Sequence, residues 1–199
     1  MTIETKQFLS KADPILAKII AAIPEPKIES TNDVFHDLMS CVLEQQIHYR
    51  SSKKIFVKML QLADIQALTP QNFINFEEKS FVNLKLSSNK YETILAILDF
   101  WNDNKIDWQN QNDEEIRQKL GSIKGIGKWT IDMILIYTLN RQNVFPFDDF
   151  HLKEIMVKLY GLNPNAKLKT QMVEISNLWG ENKSLAVKYL LAWKSFSKK

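Results

Sequence analysis

At 199 residues, with 45% hydrophobic content and eleven Phe, five Trp and five Tyr, the chain is long enough for one large domain, or for two small lobes sharing a sizeable core. Its single cysteine, Cys41, excludes an internal disulfide framework, a cysteine-rich zinc site and a cysteine-ligated iron–sulfur cluster, and suits a reducing cytoplasmic compartment. A net charge of +3 permits nucleic-acid binding only through a local basic footprint; no basic-then-apolar leader opens the chain and no apolar run approaches membrane-spanning length, so no membrane partner is expected.

Residues 13–23 open with Asp13-Pro14, an N-cap followed by proline at the first helical position, and Ile15, Leu16, Ile19, Ile20 and Ile23 repeat at helical spacing. Pro24 and Pro26 end that helix, and residues 27–32 read as a linker into a second lobe. Asp33 can cap a helix with Val34, Phe35, Leu38, Met39 and Val42 on one face, which runs into the polar stretch Glu44-Gln45-Gln46-Ile47-His48-Tyr49-Arg50. Ile55, Phe56, Met59 and Leu60 make another stripe, and Thr69-Pro70 repeats the cap-then-proline signature ahead of Phe73. Residues 84–88 are a turn candidate, Ile94, Leu95, Ile97 and Leu98 mark a further helix, and the polar residues 101–112 read as a loop. Asp113, Glu114 and Glu115 place acids in the first turn of the next helix, as the helix dipole favours.

Residues 129–139 are apolar almost all round, which marks a buried central helix. Residues 140–147 are extended, with Pro146 keeping Phe145 out of helix. Asp148-Asp149 begin a helix carrying Leu152, Ile155, Met156 and Leu159, which Gly161 stops. Helices near 172–178 and 185–193 close the chain. Strand-like alternation is nowhere sustained, so the fold is all-α.

Glycine is scarce, yet three of the five glycines, Gly121, Gly125 and Gly127, fall within seven positions. Leu120 and Ile123 end one helical pattern, while Ile126, Trp129, Met133 and Ile136 begin another. Residues 120–129 are therefore a tight hairpin between two helices, and the amides at the mouth of the second helix suit a phosphate oxygen. A helix from Lys128 to about residue 140 rises about 20 Å, and an extended return over 141–147 covers about the same distance. Asp148 and Asp149 can thus come back to the level of the hairpin. A carboxylate repels a phosphate backbone, so it is an odd neighbour for a simple binder and a reasonable one for an enzyme that stabilises a cationic sugar.

Gly125-Ile126-Gly127-Lys128-Trp129-Thr130, followed by Val144-Phe145-Pro146-Phe147-Asp148-Asp149, resembles the helix-hairpin-helix DNA glycosylases, and within them the 3-methyladenine DNA glycosylase II branch. The resemblance extends over most of residues 30–193, with Leu86-Ser87, Lys90, Trp179, Ser184, Ala186, Tyr189 and Leu190 as weaker matches. It implies a two-lobed helical fold with the active-site cleft between lobes, residues 1–30 and about 142–199 forming one lobe and about 31–141 the other. It implies Asp149 as the catalytic carboxylate, a role compatible with capping its helix because Asp148 is equally available to cap. Gly125, Ile126, Gly127, Lys128 and Thr130 would hold DNA, and Gln45, Gln46 and His48 would face the duplex where the flipped nucleotide leaves a gap.

Trp129 stands where lyase-competent relatives carry the Schiff-base lysine, so the resemblance implies a monofunctional glycosylase that leaves an abasic site. Trp129, Phe150 and Met133 are candidate walls for the extruded base, and a cationic alkylated purine would gain cation–π attraction from the indole. Each also reads as an ordinary core residue. Lys128 lies about 100° around the helix from Trp129 and is assigned to phosphate or solvent; Asp132 needs a partner that the sequence does not name. His36, His48 and His151 lack metal-ligand spacing, so no metal or organic cofactor is expected, although the family implies a monovalent cation at the hairpin. Two segments depart from the family pattern: Glu181-Asn182-Lys183-Ser184 replaces a Pro-aromatic-Arg-Ser run, and Lys85 replaces a glycine. The expected partner is duplex DNA containing a damaged base, met by a monomer at the nucleoid. The rivals are a non-catalytic damage-sensing module and a glycosylase for a deaminated or mismatched base.

Overall fold

The computed structural model describes residues 3–26, 30–44, 54–82, 84 and 86–196. These residues are helical, with no strand among them, and they fall into two compact units, Ser30–Leu139 and the pair of segments Met1–Glu29 and Asn140–Lys199.

Within the unit of the two chain ends, α1 (Ile3–Ala12) leads into α2 (Pro14–Ala22), and α9 (Phe150–Tyr160), α10 (Leu168–Asn177) and α11 (Lys183–Phe196) follow from the C-terminal segment. Asp13 organises this unit. Its Oδ1 accepts from the amides of Ile15 and Leu16 at 2.9 and 3.0 Å, so it caps α2 as the Asp-Pro signature predicts. Its Oδ2 accepts from Tyr160 Oη at 2.6 Å and from Trp179 Nε1 at 2.9 Å. A carboxylate only 2% exposed is thereby satisfied by four donors, two local and two from residues more than 140 positions away. Burial and this hydrogen bond raise the Tyr160 phenol far above its ordinary range. Leu16 and Ile19 of α2 are buried in the unit where α2 packs on α11, each worth about 1.5–3 kcal/mol of apolar burial.

The other unit contains α3 (Val34–Leu43), α4 (Lys54–Ala63), α5 (Phe73–Ser80), α6 (Ser88–Asp103), α7 (Asp113–Gly121) and α8 (Lys128–Met133). Every residue of α3 is buried, polar ones included. His36 Nδ1 accepts from the Leu68 amide at 3.0 Å, while Asp37 Oδ2 accepts from Thr31 Oγ1 at 2.8 Å and Thr138 Oγ1 at 2.7 Å. Ser30 Oγ donates to the Thr138 carbonyl at 2.6 Å, so the two ends of the unit are sewn together beside one buried carboxylate.

Several elements differ from the sequence reading. α1 has no counterpart in the sequence pattern, because Leu9 alone of its ten residues is buried and no apolar stripe announces it. α6 runs on to Asp103, which shortens the polar loop; Asn112 then caps α7 in a reciprocal box with Glu115. Thr69-Pro70 opens a single tight turn, Pro70–Asn72, before α5. The central helix is not uniform: after Met133 it widens into a π-helical segment, Ile134–Thr138, where the Leu139 amide reaches the Ile134 carbonyl. The last two helices are longer than the stripes alone suggest, and α9 ends as expected at Gly161, in the left-handed conformation at φ 64°.

Candidate active site

The hairpin is built from the end of α7 and the start of α8. Leu120, Ile123 and Ile126 are buried and anchor it to the core of its unit. The Ser122 amide turns back to the carbonyls at the end of α7, and the Ile126 amide donates to the Ile123 carbonyl at 3.1 Å. Gly125 is required by the fold: its φ is +89°, and a Cβ there would lie 2.0 Å from Thr93 Oγ1 on α6. Gly127 is different. It begins α8 at φ −94° and ψ 168°, a conformation open to any residue, and a Cβ would meet nothing within 4 Å. A helix that begins on glycine also has no side-chain oxygen to cap its first-turn amides, and none is made here.

Behind the hairpin, Asp132 is fully buried and receives two cations: Arg117 Nη1 from α7 at 2.6 Å and Lys128 Nζ from its own helix at 3.0 Å. These clamp the two arms of the hairpin and supply the missing partner of Asp132. Lys128 is thus drawn to an internal carboxylate, with its side chain 45% exposed. Arg117 carries no local signal of this role, because the contact spans fifteen residues and a turn. Trp129 is half-buried, whereas Thr130 and Met133 are buried at 4% and 1% exposure. Tyr137 is also buried.

In the other unit, the residues preceding α9 form a braced strap. The Ser184 amide donates to the Gln142 carbonyl at 2.9 Å and the Val144 amide donates to Ser184 Oγ at 3.1 Å. Phe145 packs edge-on against Trp179, and the Lys169 ammonium sits 3.9 Å from the centre of the Phe147 ring. The Asp149 amide donates to the Pro146 carbonyl at 2.9 Å, and Asp149 Oδ1 accepts from the Leu152 amide at 2.6 Å. Asp149, 6% exposed, is therefore itself the cap of α9. Asp148 does not share that task; its carboxylate lies out at the surface, 3.7 Å from Lys153 Nζ.

Next to Asp149, Phe150 is 70% exposed. His151 contacts Lys194, whose ammonium also bonds Glu154 on α9. Burial, then the Lys194 charge, hold the His151 imidazole below its ordinary range despite the nearby Asp149 and Glu154 carboxylates. Lys194 is a residue that sequence reasoning missed, since it lies forty positions from Glu154. Gln45, Gln46 and His48 lie outside the described residues.

A family profile described as HhH-GPD superfamily base excision DNA repair protein matches residues 39–181, and the chain belongs to that family. It is similar to DNA-3-methyladenine glycosylase 1 of Schizosaccharomyces pombe, at 25% identity over 185 residues, covering 90% of this chain and 80% of the relative. The structure of the Schizosaccharomyces pombe 3-methyladenine DNA glycosylase in complex with abasic DNA superposes with a TM-score of 0.75 at 22% identity, covering 98% of both chains. An 8-oxoguanine glycosylase/lyase from Clostridium acetobutylicum in complex with double-stranded DNA gives 0.72 at 18% identity, covering 98% of this chain and 70% of that one. At these identities the two structures establish a shared all-α fold. Among the described residues, no helix is long and apolar enough to cross a membrane.

Proposed function

We propose that the chain is a monofunctional DNA glycosylase that grips duplex DNA through the hairpin, flips a damaged base and hydrolyses its N-glycosidic bond. Asp149 carries the reading. A buried carboxylate with one oxygen locked onto the Leu152 amide is held in one orientation, and a fixed negative charge stabilises the oxocarbenium-like sugar that forms as the base departs. Water then supplies the oxygen at the sugar carbon, and the base leaves with the bonding electrons.

Alkylated purines are the substrate class that needs least help, since a cationic base leaves without prior protonation. The half-buried Trp129 suits stacking against such a base, with Phe150 and Met133 as further wall candidates. Trp129 offers no amine for a Schiff base, so an abasic site is the product. At Gly127 nothing internal to the fold requires glycine, and close approach of a phosphate to the amides of Gly127, Lys128 and Thr130 supplies a reason. The chemistry uses no metal or organic cofactor. A monovalent cation would find a hairpin carbonyl such as that of Ile123, which accepts the Ile126 amide and keeps a second lone pair. The reading places a monomer on chromosomal DNA inside the cell.

The test is excision from a panel of oligonucleotides with one lesion each, by the parent and by Asp149→Asn, with borohydride added in parallel. Release of alkylated purines by the parent alone, with no trapped adduct, is expected. Equal release by Asp149→Asn would sink the mechanism, a strongly trapped adduct the monofunctional assignment, and release confined to deaminated or mismatched bases the substrate class.

A further inference from the structure

Charge is unevenly placed between the two units. The unit of the chain ends holds 14 Lys and Arg against 9 Asp and Glu, a net +5, whereas residues 30–139 hold 12 against 14, a net −2. A duplex is a polyanion, yet the unit that carries the hairpin has the acidic balance. The cations along its two arms are moreover engaged: Arg117 and Lys128 on Asp132, Lys124 on Glu92 at 2.7 Å, and Lys119 on the Gln111 amide. Lysines of the other unit also serve partners, Lys6 with Glu25, Lys153 with Asp148 and Lys194 with Glu154.

Lys169 differs. Its ammonium stands 3.9 Å from the centre of the Phe147 ring, and no carboxylate among the described residues is paired with it. An aromatic face fixes a cation in place without neutralising it. Lys169 is exposed at the second position of α10, whose first turn has no acid, although the helix dipole favours an acid there and disfavours a cation. Nothing in the helix therefore calls for a lysine at this point. Phe147 precedes Asp149 by two residues in the braced strap, at most about 7 Å along the backbone, so the ring holds the cation close to the candidate catalytic carboxylate.

We infer that Lys169, held on the Phe147 ring, contacts a backbone phosphate flanking the damaged nucleotide. A carboxylate that works at a sugar carbon is brought at the same time towards the two phosphates bonded to that sugar, and it repels them. A cation beside it offsets that repulsion, and because the ring leaves the charge of Lys169 intact the contact forms without breaking an ion pair. The inference rests on the glycosylase reading above and adds to it the charge that lets Asp149 approach.

The full chain is tested as the parent, Lys169→Met and Lys169→Arg, by fluorescence anisotropy across salt concentrations, with a duplex carrying one tetrahydrofuran abasic analogue. Lys169 is exposed, so both variants should fold. Loss of one phosphate contact should lower the salt slope by about 0.9 in Lys169→Met, and Lys169→Arg should keep the slope of the parent. Uncharged methylphosphonates then replace single phosphates. Next to the analogue, the replacement should weaken binding by the parent about fivefold and leave Lys169→Met unaffected, since the contact is already gone. Three results overturn the inference and leave the glycosylase reading in place: an unchanged slope in Lys169→Met, a slope lost equally in Lys169→Arg, and methylphosphonate effects that are the same in the parent and Lys169→Met. A parent that binds no duplex overturns both.

Discussion

At the hairpin the groups offered outward belong to the backbone, and the side chains around it, Ile123, Ile126, Arg117 and Asp132, are spent on the interior of the unit. At the start of α9 the arrangement is reversed: the backbone of 145–149 is consumed in turns, and the feature offered is a side chain, Asp149, steadied by one amide. A backbone site tolerates many side chains but depends on having none where the ligand must approach. A side-chain site depends on one functional group and on whatever fixes its direction. The two regions should therefore fail differently when changed.

Asp149→Asn tests the side-chain site most sharply. Asparagine caps a helix about as well as aspartate, so stability should hold while excision falls by at least about 10²-fold. Duplex binding, followed by fluorescence anisotropy, should change little; a parallel collapse of binding would merge the two regions into one function. Gly125→Ala should instead break the hairpin from within. A Cβ against Thr93 and a positive φ together predict a loss of about 1–3 kcal/mol in urea denaturation, with DNA binding weakened as a consequence.

Gly127→Val separates fold from ligand. Its backbone is already extended and its surroundings open, so stability should fall by no more than about 1 kcal/mol, the cost of an apolar residue at the start of α8. Duplex affinity should drop about tenfold, the size of one lost backbone–phosphate hydrogen bond. Unchanged affinity removes the phosphate-clamp role. Asp149→Ala, compared with Asp149→Asn, should add about 1 kcal/mol of destabilisation from the lost cap, and equal stabilities would mean that the cap contributes nothing.

The smallest effect is on pH dependence. His151 titrates lower in the folded chain than its ordinary value of about 6.5, so the unfolded chain binds more protons as pH falls through that value. Stability should decline below about pH 6.5, and His151→Asn should flatten that decline in denaturation curves taken between about pH 5 and 7. A slope that is identical in the variant would assign the acid sensitivity to other groups.

Local chemistry made much of the helical framework legible. Asp13-Pro14, Asp33, Gly161 and the acids after Asn112 marked their helix ends correctly, because a cap acts on amides two or three residues away and leaves its trace in adjacent letters. The glycine cluster marked the hairpin for the same reason. Its two central glycines nevertheless serve different needs, and only the position of Thr93, thirty-two residues earlier, tells Gly125 from Gly127. Helix α1 left no trace because its stripe is nearly empty, and the widening after Met133 left none because an all-apolar segment has no periodicity to break.

The all-α class and the local cap and hairpin chemistry were determined by the sequence alone, since periodicity and turn chemistry are short-range properties. Tertiary structure decided which polar groups meet: Arg117 and Lys128 on Asp132, Tyr160 and Trp179 on Asp13, and Lys194 on His151 and Glu154. Apart from Lys128 on Asp132, one helical turn apart, each such pairing joins residues at least fifteen positions apart, and no local window of the chain contains that information.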